Sequence, residues 1–438
     1  MHMPVAQVFR YNSVVNEYKK NILILGAGFA GMRTALSLSS RVCLLKKYKI
    51  ILIDEQTTHL YTPDLYEIAT AYTPQDTPAC ATMLRDTVAV SISRIIGKQP
   101  IEFIHDKVVQ IRHDSKTVEL EKGGSVSYDY LVVALGGVVN YYDIQGLEEH
   151  ALRLKSVSDA LAIQSRIDSH IRKLASGAQK PDIVIIVCGG GATGVDLIGE
   201  LPSYADILCK KYGYPREKVH ISIIEAGNEL VRLGRSFSKH VEKRLKKLGV
   251  KIIFNTRVIE VRSSCATVKM PDGKRQDIPA DIIVWTGGIK PSPVINKSFD
   301  KTTPLGALEV NEFLEAKYFK HIFAGGDSAC FIDPVTGQTA PWLAQVAVQH
   351  GDVIAKNIAA TICGCRKRGY RLRLKGIIIP VGGHFAIFKS GPIIFSGFIP
   401  WVMRRLIDLW YAMTILPPWY AMKKWWHNTN VFTQNDNI

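Results

Sequence analysis

NILILGAGFAGMRTALSL, Asn21 to Leu38, decides how this 438-residue chain folds. An apolar run delivers the backbone into Gly26-x-Gly28-x-x-Gly31, and an amphipathic helical pattern follows. A second apolar run, YKIILIDEQ, then ends at Asp54, twenty-three residues past the last glycine. Strand, glycine turn, helix and a second strand closing on an acid are the parts of a dinucleotide-binding βαβ unit. Gly26 permits the tight turn, Gly28 lets the backbone approach a pyrophosphate, and Gly31 lets helix and strand pack closely. The helix start offers unpaired N–H groups to phosphate oxygens. Asp54 is placed to accept hydrogen bonds from ribose hydroxyls.

The pattern recurs in PDIVIIVCGGGATGVDLIGEL and VHISIIEAGNEL, with Gly189-x-Gly191-x-x-Gly194 and the acid Glu225. Two dinucleotides are implied. An acid at the ribose position favours NADH, because the extra phosphate of NADPH would meet repulsion and would want an arginine. Arg232, seven residues on, tempers that preference. Between the fingerprints comes YDYLVVALGGVVNYYDIQGL, and after the second comes ADIIVWTGGIKPSP, with Gly287 in its glycine pair. KHIFAGGDSAC then places Asp327 just past a short strand.

The two fingerprints make the expected fold α/β, with two Rossmann-like dinucleotide-binding domains, and 47% apolar with 21% charged residues places the chain among globular proteins rather than disordered ones. No apolar run reaches eighteen residues, and the opening twenty lack the apolar core of a secretory signal. Eight cysteines are scattered without zinc-ligand spacing, so no metal site is expected. Net charge is +16, and from residue 360 to the end eleven Lys/Arg stand against two Asp, which puts +9 of it in the tail. Such an excess points to an anionic partner, membrane or nucleic acid.

The layout of two fingerprints, two strand-glycine segments and a late GD resembles the two-dinucleotide flavoprotein oxidoreductases, from about Asn21 to Gly351. That resemblance implies FAD on the first unit and NADH on the second. Many such proteins carry a CxxxxC pair after the first ribose acid; this chain has HLYTPDLYEIATAY there, so disulfide reduction is not expected. HLYTPDLYEIAT, GGGATGVDLIGEL, the insertion PSYADILCKKYGYPREK and PWLAQVAVQHGDVIAKNI are similar to the type II NADH dehydrogenases, single-subunit NADH:quinone oxidoreductases of respiratory chains that pump no protons. The resemblance implies FAD contacts at Gly26 to Ala30, Asp54, Glu55, Val108, Asp327, Ala344, Gln345 and Lys389. It implies that Gln345 and Gln349, one helical turn apart, border the quinone. Their amides suit that task, since they donate to a carbonyl without titrating. Where that family usually has glutamate after the second fingerprint, this chain has Asp196, a carboxylate one methylene shorter, expected to assist proton delivery. His59 is expected to pack and not to catalyse. A sulfide:quinone oxidoreductase, or another FAD/NAD(P)H reductase of the same layout, is the alternative, with Cys363 and Cys365 as its footing.

The expected divisions are an extension over 1–20, FAD-binding parts over 21–149 and 293–365, an NADH-binding domain over 150–292, and a C-terminal membrane-association region over 366–438. In that region FIPWVMRRLIDLWYAMTILPPWYAMKKWW reads as two short helices broken at Pro417 and Pro418, too short to span a bilayer. Lying in the interface, its tryptophans suit the headgroup boundary, and Arg404, Arg405, Lys423 and Lys424 are expected to meet anionic lipid. The same surface would serve a homodimer. Nucleic acid is not expected as a partner, because two intact fingerprints point to catalysis and the tail's aliphatic content suits lipid. The expected location is the cytoplasmic face of the cell membrane. Removing residues from about 400 onward is expected to release the enzyme from membranes while NADH still reduces the flavin.

Overall fold

The computed structural model describes residues 19–72, 78–179 and 181–433. The expected extension over 1–20 lies almost wholly outside them.

Two parallel sheets of five strands organise the chain. The first contains β1 (Lys20–Leu25), β2 (Tyr48–Asp54), β3 (Ile101–His105), β4 (Tyr130–Val133) and β10 (Ile322–Ala324), in the order β10-β4-β1-β2-β3. Its outer member β10 arrives almost two hundred residues later. The second contains β5 (Leu152–Arg153), β6 (Ile183–Cys188), β7 (Val219–Ile224), β8 (Lys251–Ile253) and β9 (Ile282–Trp285), in the order β5-β9-β6-β7-β8. All pairings within both are parallel. Strands covered on both faces need continuous apolar runs, and Ile22, Leu23, Ile24 and Leu25 are all fully buried. Each such side chain contributes roughly 1.5–3 kcal/mol of transfer free energy.

In each sheet the order reverses beside the first fingerprint strand, between β1 and β4 and between β6 and β9. A crevice opens at such a reversal, and the fingerprint loops leave their strands there. Helix α1 (Phe29–Ser39) follows β1, and α3 (Ala192–Tyr212) follows β6. The short α2 (Leu65–Ala69) carries the TPDLYEIA segment. Helix α4 (Ala344–Ile362) lies on α1, where a Cβ added to Gly351 would stand 2.6 Å from the Ala30 carbonyl oxygen.

The tail begins as an antiparallel sheet of β11 (Ile377–Pro380), β12 (Ala386–Ser390) and β13 (Ile393–Gly397). Two helices follow, α5 (Phe398–Ile415) and α6 (Pro418–Phe432). They are longer than the sequence pattern suggests, but the break falls at the double proline. Leu416 turns extended, and Pro418 takes the first helical position, where its missing N–H leaves no hydrogen bond unmade. Among the described residues no helix is long and apolar enough to cross a membrane. Tyr411, Ile415, Leu416 and Ala421 join the first sheet's core, while Val431 and Phe432 join the second's. One face of the tail is therefore part of the molecule's interior.

Candidate active site

The two glycine loops are built alike. Gly26 has φ +96° and Gly189 has φ +115°, values that favour glycine. A Cβ on Gly31 would fall 1.8 Å from the Gly26 carbonyl oxygen, and one on Gly194 would fall 1.9 Å from that of Gly189. Around Gly28 and Gly191, by contrast, nothing lies within 4 Å of an added Cβ. These two residues cap α1 and α3, and neither helix start carries a side-chain cap or an acid in its first turn. Open backbone N–H groups at a helix start with space before them fit an anionic pyrophosphate. Gly287 stands at the second loop, its Cα 2.6 Å from where a Gly189 Cβ would be.

Both ribose acids are fixed by backbone. Asp54 accepts from the N–H of Ala27 at 2.5 Å and of Gln56 at 2.7 Å. Burial pushes its carboxyl up from the usual carboxylate range, against the pull of those two hydrogen bonds. Glu225 accepts from Gly190 and Gly227, each at 2.7 Å, and Arg232 Nη2 stands 3.4 Å away. Glu55 is exposed beside Asp54, and Val108 is buried at the start of the strand Val108–Arg112.

Asp327 comes to the first strand-glycine segment, its Oδ2 3.2 Å from where a Gly137 Cβ would be and 3.8 Å from Lys155 Nζ. Burial raises its carboxyl above the usual range, and Lys155 opposes the shift. Ala344 opens α4 as expected, and both glutamines are half-buried on one face of it. Gln345 Nε2 donates to Gly376 at 3.1 Å and Gln349 Nε2 to Arg373 at 2.9 Å. Each amide keeps a second N–H for another acceptor. Lys389 is paired in register with Ile377, beside Gly376, so it lies at the Gln345 end of the site. Its Nζ donates to the Leu233 carbonyl, in the loop that follows the second ribose acid.

Asp196 lies in the second turn of α3, half-buried, with Oδ1 sealed from solvent and without a hydrogen-bond partner. Burial raises its carboxyl well above the usual range; Arg404 opposes the shift, and Asp64 and Glu67 reinforce it. A carboxyl pushed toward its neutral form, with a buried oxygen that has no partner, is what a site awaiting a polar ligand contains.

Arg404 and Arg405 do not face lipid, which corrects the expectation for them. Arg404 donates to Asp64 at 2.7 Å and to Tyr61, and it also pairs with Asp408; Arg405 pairs with Glu67. These side chains are all nearly buried, Arg404 being 10% exposed and Asp64 6%. Lys424 is turned inward too, donating to the carbonyl of Asp86, and burial pulls its ammonium down to about 8. Of the four expected lipid contacts, Lys423 alone is exposed.

Tyr411, from the same helix, reaches the first glycine loop through His59. Carbonyl oxygens only accept, so His59 Nδ1–H donates to Ala27 at 2.7 Å, and Nε2 accepts from Tyr411 at 2.7 Å. Burial lowers the imidazole's pKa, so it stays neutral. His59 is thus a positioning residue, consistent with a packing role. The spacing of Asp64 with Glu67, and of Arg404 with Asp408, was visible in the sequence, but nothing there paired the two segments.

Comparison with known proteins now bears on this geometry. The sequence pattern of the pyridine nucleotide-disulphide oxidoreductases matches residues 20–351, most of the chain. The chain belongs to that family. A protein of Staphylococcus aureus (strain MSSA476) named type II NADH:quinone oxidoreductase is 28% identical over 393 residues, 89% of this chain and 94% of its own. The solved structure of NDH2 from Plasmodium falciparum in complex with NADH superposes with a TM-score of 0.81 at 18% identity, covering 95% of this chain and 98% of that one. The sulfide:quinone oxidoreductase of Aquifex aeolicus reaches 0.72 at 22% identity, covering 89% and 91%. These two structures share the fold.

Within this pyridine nucleotide-disulphide oxidoreductase, thiol chemistry has little footing near the loops. Cys188 ends β6 beside the second loop, but burial pushes its thiol up to about 12, which leaves almost no thiolate near neutrality. Cys363 and Cys365 are exposed beyond the C-terminal end of α4, eighteen or more residues from Gln345.

Proposed function

We propose that this flavoprotein passes reducing equivalents from NADH to a membrane quinone, with FAD on the first glycine loop and NADH on the second. The duplicated loop carries this reading. Each copy has an open glycine at a bare helix start and a backbone-held acid, so each fits one dinucleotide. The S. aureus relative, similar along nearly its whole length, is named for the same reaction.

FAD, when bound, supplies the two-electron chemistry that links hydride donor to quinone. The residues of this chain orient and protonate. Gly26 to Gly31 and Asp54 hold the FAD pyrophosphate and ribose, with Glu55, Val108, Asp327, Ala344, Gln345 and Lys389 as further contacts. Gly189, Gly191, Gly194, Glu225 and Gly287 hold NADH. Gln345 and Gln349 direct their remaining N–H groups to the quinone carbonyl, and the Asp196 carboxyl, which burial favours in its protonated form, supplies a proton to the oxygen that gains charge. Residues 21–149 and 293–365 form the FAD part and 150–292 the NADH part. Purified, flavin-loaded protein should oxidise NADH with a short-chain quinone and leave sulfide unoxidised. Sulfide oxidation without NADH oxidation would reverse that choice.

Residues 366–438 supply the membrane contact, and the outer face of the two tail helices makes it. Phe398, Ile399, Leu406, Ile407, Trp410, Trp419 and Trp426 are all exposed, Trp419 at 71%. On a soluble surface such a patch marks an interface, and tryptophans favour the headgroup boundary. With Arg404, Arg405 and Lys424 turned inward, anionic lipid falls to Lys423 and to the exposed Arg366, Arg368, Arg371, Arg373 and Lys375. Lys375 stands over the Trp410 ring at 5.4 Å, joining these residues to α5. Replacing Trp410, Trp419 and Trp426 together by serine should release the protein from anionic vesicles and leave NADH oxidation by a water-soluble acceptor intact. A variant that still sediments with vesicles would contradict this assignment, and one that dissociates from dimer to monomer instead would assign the patch to a homodimer.

A further inference from the structure

We propose that NADPH is a second hydride donor for this protein and that Arg232 receives its 2′-phosphate. The proposal rests on reading the second loop as the NADH site. Glu225 alone would exclude NADPH, because its carboxylate is 7% exposed and pinned by two backbone N–H groups, unable to swing away from a phosphate. Arg232 changes that balance. Its Nη2 stands 3.4 Å from Glu225 Oε1, while its side chain is 76% exposed, so the guanidinium reaches the acid and stays open to solvent.

The backbone beneath it is held in a costly shape. Val231 and Arg232 both lie in the left-handed region, with φ 64° and 50°, which a β-branched residue such as valine avoids. Neighbouring hydrogen bonds keep it there. The Val231 N–H donates to Gly190 O at 2.7 Å, tying the segment to the glycine loop itself. The Leu230 N–H donates to Ser238 Oγ at 2.9 Å, and Lys389 Nζ donates to the Leu233 carbonyl. Residues on both sides of Arg232 are thus fastened while its side chain points outward. Strain maintained by such clamps is found where a side chain must be held for use. A planar guanidinium on a fixed base beside a ribose acid suits a phosphate monoester, which it binds through paired N–H groups.

The reaction balances as NADPH, one proton and quinone giving NADP+ and quinol. The C4–H bond of the dihydronicotinamide breaks, its hydride supplies both electrons and one proton of the quinol, and solvent supplies the second proton by way of Asp196.

The test compares kcat/KM for NADPH and NADH on flavin-loaded protein with one short-chain quinone. Unmodified protein should use both donors. Arg232→Ala should lower the NADPH-to-NADH ratio about tenfold or more, as expected for losing hydrogen bonds to a charged group. Arg232→Lys should keep part of that ratio, and Glu225→Gln should raise it. NADH oxidation without NADPH oxidation in the unmodified protein, or an unchanged ratio in Arg232→Ala, overturns the proposal. Failure to oxidise NADH at all overturns instead the reading on which it rests.

Discussion

Replacing Arg404 by alanine should lower the stability of the protein by about 3–5 kcal/mol, read as a shift in thermal or denaturant unfolding. Arg404 meets Asp64 and Asp408 in a nearly solvent-free pocket. Without it, Asp64 keeps its burial and loses its closest counter-charge, and Asp408 is left with Arg405 at 3.9 Å. Such a loss costs far more than breaking a surface pair, which is worth about 1 kcal/mol or less. A stability change within that smaller range would show that the cluster is wet or that its carboxylates repair themselves. The same geometry revises the truncation experiment. Removing residues from about 400 onward strips Arg404 from Asp64, Arg405 from Glu67 and Tyr411 from His59. It also opens both cores, so flavin should be lost along with membrane binding. Substituting the outward tryptophans is the cleaner way to separate docking from chemistry.

Asp196→Asn should slow quinone reduction by about a hundredfold, within the range for losing a general acid, while leaving reduction of the flavin by NADH near its original rate. Asparagine keeps the shape and cannot release a carboxyl proton. The sign of the stability effect follows from the direction of the shift. Asp196 has a folded pKa raised above its unfolded one, so the folded state binds more protons between the two. Stability therefore falls as pH rises above the unfolded pKa and goes on falling until the folded pKa is passed. Asp196→Asn removes that loss, so the variant should be at least as stable as the original near neutrality, with that advantage vanishing in acid. Equal slowing of both half-reactions would assign Asp196 to the fold or to NADH binding instead.

Much of the fold was legible in the sequence because its signals are local. A glycine turn, two apolar runs and a terminal acid constrain one another within about thirty residues, and the structure builds both copies as that spacing implies. The break between the tail helices was legible for the same reason, since Pro417 and Pro418 act on their own backbone. The tail's inner face was not. Arg404 and Asp64 are separated by 340 residues, and only the folded chain brings them together. With aromatic and aliphatic residues all around α5, the sequence pattern did not show which face was buried, and lipid was the natural partner for any arginine there. The role of His59 was hidden likewise, because its two partners, Ala27 and Tyr411, lie on different sides of it in the chain. Of the candidate site, the glycine loops, the acids and the α4 glutamines were readable. The unsatisfied Asp196 oxygen and the clamped Arg232 loop required coordinates.

The central claim is that one protein holds a flavin reducible by NADH and reoxidisable by quinone. The visible absorbance spectrum of the purified protein, recorded before NADH, after NADH without oxygen, and after a short-chain quinone, tests it most directly. Flavin absorbance that bleaches with NADH and returns with quinone is the expected result. A protein without flavin absorbance, or one whose reduced flavin is indifferent to quinone, would contradict the account.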